Sequence, residues 1–131
     1  AVKGGADVVV GTHPHVLQPI EAYQGSVILY SIGNFCFGGN RNPSDKDTVI
    51  AQLTVSGTVE DRSWEMSYIP CCVSSKIDAA MVKEQNYNDY KPTPYEEGSE
   101  GYNRVLSKLT GEFEATSQGA DYSGWLASRA G

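Results

Sequence analysis

The chain has 131 residues, 40% of them hydrophobic and 20% charged, which suffices for one modest domain with a buried core. Its formal net charge of −6 and pI near 4.8 count against nucleic acid, whose phosphates reward basic patches. No stretch nears the ~20 apolar residues of a membrane helix, and a start at Ala1-Val2-Lys3 without an initiator methionine or apolar leader reads as a piece of a longer protein.

Residues 1–7 read as the end of a helix and its turn, broken at Gly4-Gly5, with Asp7 serving the turn. Val8, Val9 and Val10 form a β-branched burst, predicted as a strand buried on both faces, that stops at Gly11 before the only two histidines, His13 and His15. Pro14 fixes its own φ and denies His13 the helical option, and on extended chain side chains two residues apart leave the same side. Two neutral imidazoles so held at a strand's mouth are candidate ligands for one divalent ion, or for each of two neighbouring ions. A bare His-x-His is equally a pair of ordinary loop residues, so its context decides.

Downstream, Gln18 to Tyr23 should run extended and turn at Gln24-Gly25-Ser26 into a strand over Val27 to Ser31, making a hairpin behind the histidines. Glu21 is the nearest downstream carboxylate. Either it orients an imidazole by accepting the second ring N–H, or it is a solvated strand-end residue. Gly33-Asn34 after a buried strand predicts a positive φ at the glycine, with the Asn34 amide either bonding a loop or substrate or serving the turn. Phe35 and Phe37 would flank it and exclude water.

Gly38 to Asp47 has no apolar periodicity and is dense in turn formers, which predicts a mobile surface loop with Arg41 as its one forked cation. From Thr48 the pattern alternates, with Val49, Ala51, Leu53 and Val55 on one face. After a turn at Ser56-Gly57, Trp64, Met66 and Tyr68 share a face, so the two segments read as an antiparallel hairpin whose aromatic side covers core. Asn86 to Pro94 reads as an extended segment laid over a surface, and Thr93-Pro94-Tyr95-Glu96 has the form of a capping box. A helix follows over Glu100 to Leu109, because Tyr102, Val105, Leu106 and Leu109 recur at helical spacing and Gly111 closes the end. Glu112 to Gly131 is rich in Gly, Ser and Ala and reads as a partly disordered tail. Cys36, Cys71 and Cys72 imply no disulfide framework and read as small buried hydrophobes, with metal ligation by the adjacent pair as the alternative.

The run Gly11-Thr12-His13-Pro14-His15-Val16-Leu17-Gln18-Pro19-Ile20-Glu21, taken with Tyr30-Ser31-Ile32-Gly33-Asn34-Phe35-Cys36-Phe37-Gly38, resembles the CapA family of capsule (poly-γ-glutamate) synthesis proteins. That family is similar to the calcineurin-like metallophosphoesterases, whose last metal motif is a Gly-His-x-His turn after a strand; here Thr12 stands where the first histidine often does. The resemblance implies an α/β fold: the C-terminal part of a metallophosphoesterase-like α/β sandwich, itself β-rich with antiparallel hairpins and one or two helices. It implies residues 1–75 as part of the metallophosphatase-like domain, 76–98 as an extended connection, and 99–131 as a helix and tail.

His13 and His15 are then expected metal ligands, with Asn34 and Glu21 as catalytic candidates beside them and divalent Mn, Zn or Fe as the cofactor. The family's other ligands lie upstream, so the site is expected to be incomplete in this piece, which alone would turn nothing over. Implied partners are the missing N-terminal half of the same protein, an anionic capsule polymer and other capsule synthesis proteins, at an extracytoplasmic, surface or membrane-tethered location. A net negative chain meeting polyglutamate needs positive charge from a metal or from that absent half. The functional alternatives are a metal-dependent hydrolase part, a non-enzymatic scaffold or export component, and an autonomous β-rich interaction module.

Overall fold

The computed structural model describes residues 1–77 and 86–112. A short 3-10 turn at Val2–Gly4 leads into strand β1 (Val8–Val10), followed by β2 (Ile20–Tyr23) and β3 (Ser26–Leu29). These make a three-stranded sheet in the order β1-β3-β2, with β1 parallel to β3 and β2 antiparallel to it. The β2–β3 hairpin closes through Gln24 and Gly25, whose φ values of 51° and 78° give the two-residue turn that matches strand twist. Because β1 has only β3 beside it among the described residues, it is half-buried, with Val10 55% exposed, and is not covered on both faces as its sequence predicts.

The second sheet is a long ribbon of β4 (Asp47–Gly57) and β5 (Arg62–Cys72), extended at its base by β6 (Thr93–Pro94). Its register pairs Ala51 with Tyr68, Leu53 with Met66 and Val55 with Trp64, so the predicted apolar stripe exists. Only its base is covered: Tyr68 packs on the core, whereas Leu53 and Val55 are 46% and 59% exposed. Thr93 and Pro94 pair with Cys72 and Cys71, so the predicted capping box is strand, and the helix start lies farther on. Helix α1 (Glu100–Thr110) is capped by Ser99, whose side chain accepts from the Tyr102 amide, and ends on a left-handed Gly111, as the apolar spacing predicts.

One apolar core joins Leu17, Val49, Cys72, Val73, Tyr87, Tyr95, Val105 and Leu109. It draws on both sheets' neighbourhoods, on the 86–98 stretch and on α1, so these segments share an interior. Tyr87 is fully buried with its hydroxyl 2.8 Å from Cys72 Sγ, which anchors the Asn86 to Pro94 stretch in the core, while Asn86, Lys91 and Pro94 along it are exposed. Cys71 and Cys72 are buried free thiols, while Cys36 is exposed. The expected tail over 113–131 lies outside the described residues. The architecture is β-rich with antiparallel pairing and one described α-helix, consistent with part of an α/β domain.

The largest departure from expectation is the Gly38 to Asp47 stretch. Arg41 is exposed as a loop residue should be, but Pro43, Asp45, Lys46 and Asp47 are buried. Lys108 Nζ contacts Asp45 Oδ1 at 2.7 Å and Asp47 Oδ2 at 2.6 Å, and Arg104 forks onto both Asp47 oxygens at 2.7 and 2.8 Å. The Tyr95 hydroxyl donates to Asp47 Oδ1 at 2.8 Å. Two carboxylates and two cations thus neutralise one another inside the protein, and charge that looks solvated in the sequence is structural.

Candidate functional site

Since β1 and β3 run parallel, their carboxyl ends emerge side by side, and this is where sheet proteins of mixed α/β type place ligands. The two exits nearly touch. The Gly11 amide donates to Leu29 O at 2.7 Å, and a Cβ on Gly11 would sit 2.2 Å from Tyr30 O, so only glycine fits there. Beyond that point the chains rejoin, with the Gln18 amide on Ser31 O at 3.1 Å and an isolated bridge between Leu17 and Ile32.

Between these two fastenings the loops open into a pocket of about 460 Å³, lined by Thr12, His13 and His15 from one exit and by Asn34, Cys36 and Phe37 from the other. His13 and His15 therefore face one cavity, with ring centroids 6.1 Å apart and tilted by 49°. The route to this arrangement differs from the extended chain expected. His13 has φ 100° and His15 φ 62°, both in the left-handed region that side-chain-bearing residues rarely occupy. Pro14 excludes the helical basin for His13 as reasoned, but the chain takes a tight turn in place of extension. Paired positive-φ histidines mark a backbone held by its surroundings.

Asn34 is one of those surroundings. It is 5% exposed, its Oδ1 lies 2.7 Å from His15 Nδ1, and its Nδ2 donates to the His15 carbonyl at 3.2 Å. Gly33, just before it, has φ 75°, the positive value its sequence predicts. Phe37 packs on the His15 ring at 4.9 Å between centroids, yet Phe35 and Phe37 are 39% and 47% exposed and leave the pocket open to water. Glu21 stands on β2, where its carboxylate accepts from the Tyr30 hydroxyl at 2.5 Å, which raises the Tyr30 pKa. The pocket's lining holds His13, His15 and Asn34 together and does not include Glu21.

The support beneath the pocket is what sequence reasoning missed. Asp45 Oδ2 accepts the Leu17 amide at 2.9 Å, two residues past His15, while the Thr48 hydroxyl donates to Ile32 O at 3.0 Å, two residues before Asn34. The buried charge cluster and the adjoining Thr48 thereby grip one loop stem each. Burial alone would raise the Asp47 carboxyl, but the Lys108 charge and the Arg104 bonds outweigh it and hold it down at about 2. A signal was available: Asp45 and Asp47 share one side of an extended chain, and Arg104 and Lys108 stand one turn apart on a helix face.

As a metal site the pocket offers two imidazole donors, whereas a catalytic zinc normally has three protein ligands. Among the described residues no group of three or more His, Cys, Asp or Glu is arranged to hold an ion. The donor set fits part of a divalent site.

A family model described as bacterial capsule synthesis protein PGA_cap matches residues 1–39. Over 55 residues, 41% of this chain and 14% of the relative, the sequence is 53% identical to the PGA biosynthesis protein CapA of Bacillus subtilis (strain 168). It is 47% identical over 58 residues to the capsule biosynthesis protein CapA of Bacillus anthracis, covering 44% of this chain and again 14% of that protein. An uncharacterized protein, y4sH, of Sinorhizobium fredii is 44% identical over 46 residues, 35% of this chain and 10% of that one. The chain thus spans 14% or less of the length of these relatives. No solved structure matches it. Both histidines, Glu21 and Asn34 lie inside the stretch that the family model covers.

Proposed function

We propose that this chain, whose residues 1–39 match the bacterial capsule synthesis protein family model, is part of a CapA-type protein that works in poly-γ-glutamate capsule biosynthesis. In this reading His13 and His15 contribute two ligands to a divalent metal site, Mn, Zn or Fe, whose remaining ligands come from elsewhere in the protein. The observation that carries it is that both imidazoles, held on a strained turn, share one open pocket at the carboxyl ends of adjacent parallel strands.

A bound divalent ion would supply Lewis acidity for hydrolysis of a phosphoester, an amide or a polymer bond, and positive charge for an anionic polymer. The chain's own part is to hold two ring nitrogens in place, with Asn34 against one of them. Glu21 remains a catalytic candidate only through a rearrangement that frees it from Tyr30. The proposed setting is the extracytoplasmic face, at the surface or tethered to the membrane. No described helix is long and apolar enough to cross a membrane.

The test is metal analysis of the complete natural protein alongside His13→Ala and His15→Ala. The expected result is bound divalent metal in the parent protein, lost together with hydrolytic activity in either variant. Metal content unchanged by both substitutions would refute the site and leave a scaffold or export role for the capsule polymer.

A further inference from the structure

We infer that Asn34 is the positioning residue that locks His15 in a single tautomer, with hydrogen on Nδ1 and a bare lone pair on Nε2, so that Nε2 is the nitrogen open to a divalent cation. The inference deepens the metal-site reading above and rests on it for the identity of the ligand, but the lock itself is argued from hydrogen-bond chemistry alone.

The His15 main-chain oxygen can only accept, and the Asn34 side-chain atom 3.2 Å from it must therefore be the NH₂ group. That orients the carboxamide. Its oxygen is then the atom 2.7 Å from His15 Nδ1, and an amide oxygen can also only accept. In the neutral ring, Nδ1 must therefore carry the hydrogen, which leaves Nε2 as the acceptor on the edge of the ring away from Asn34. Free neutral histidine in water favours the opposite tautomer, so the carboxamide reverses an intrinsic preference.

The geometry makes the lock rigid. One side chain holds both the ring and the carbonyl of His15, so ring rotation and relaxation of the φ 62° backbone would each break a bond. Asn34 is itself only 5% exposed, and Phe37 packs on the imidazole at 4.9 Å between centroids. Among the described residues no side chain bonds the His13 ring in this way, so the two imidazoles differ in their surroundings despite sharing a pocket. An outer partner that fixes the tautomer of a ligating histidine typically carries 10–100-fold in metal affinity.

The test reads the tautomer directly. In the full chain, labelled with 15N on histidine and kept metal-free at a pH where the rings are neutral, long-range 1H–15N correlation distinguishes protonated from bare ring nitrogens. The expected pattern is a protonated Nδ1 and bare Nε2 for His15, lost towards a mixture in Asn34→Ala. A His15 that is mixed or Nε2-protonated in the parent chain overturns the inference, as does an unchanged pattern in a folded Asn34→Ala. Should Asn34→Ala fail to fold, the parent spectrum still decides. Zn²⁺ titration of the complete protein then separates the two claims: about tenfold or more weaker binding in Asn34→Ala extends the lock to metal affinity. Absence of Zn²⁺ binding in the parent overturns the metal-site reading while the spectrum continues to judge the tautomer.

Discussion

Gly33 stands where one added methyl group has two separate objections to meet. Its φ of 75° is left-handed, and a Cβ there would lie 3.1 Å from Asp47 O, a main-chain atom fixed by the buried charge cluster. Gly33→Ala should therefore lose about 1–2 kcal/mol of stability, read as a lower urea midpoint, and should disturb the neighbouring Asn34 before it disturbs α1. Unaltered stability would mean that the loop relaxes away from Asp47. The positive φ of this glycine was legible from Gly-Asn following an apolar strand. The positive φ of both histidines was not, because proline chemistry rules out one basin without choosing between the others. At His15 the left-handed backbone is held by Asn34, nineteen positions downstream, which bonds the His15 carbonyl.

At the level of elements, α1 and the segment that precedes β4 form one electrostatic unit. Lys108→Met would remove the amine that bonds both buried carboxylates, Asp45 and Asp47, and should cost about 3–5 kcal/mol, as breaking one side of a buried pair does. Chemical denaturation measures this, and a loss below 1 kcal/mol would show the pair to be dispensable. Acid gives an independent reading. Asp47 has its folded pKa held at about 2 against an ordinary 3.8, so its contribution is fully present above pH 3.8 and is lost as pH falls towards 2. Asp47→Asn should flatten that acid limb of the stability curve, and an unchanged limb would count against the assignment.

The contrast in legibility within this unit is instructive. The span of α1 could be read from apolar spacing, a serine before it and a glycine after it, all of them local signals. The burial of Asp45 and Asp47 depends on Lys108 and Arg104, separated from them by 57 to 63 positions, so local spacing showed each same-side pair but not that the two pairs meet. For the same reason the β4–β5 pairing was readable from alternation, while the exposure of Leu53 and Val55 at its far end was not.

Across the whole molecule, the family match and the interior have different extents. The family model's match ends at residue 39, yet the core that contains Leu17 reaches to Leu109, and the amide just after the histidine turn is held by Asp45, which α1 neutralises. The stretch that the family model covers is thus anchored by residues outside it. Lys108 carries a practical consequence. Its amine is fully shielded within the interior, while the exposed lysines Lys3 and Lys91 are open to an acylating reagent. Modification of Lys108 must await an opening that lifts α1 away, so the rate at which that one amine is labelled, followed by mass spectrometry, serves as a clock for cooperative unfolding. Labelling of Lys108 as fast as Lys3 would mean that the helix detaches on its own.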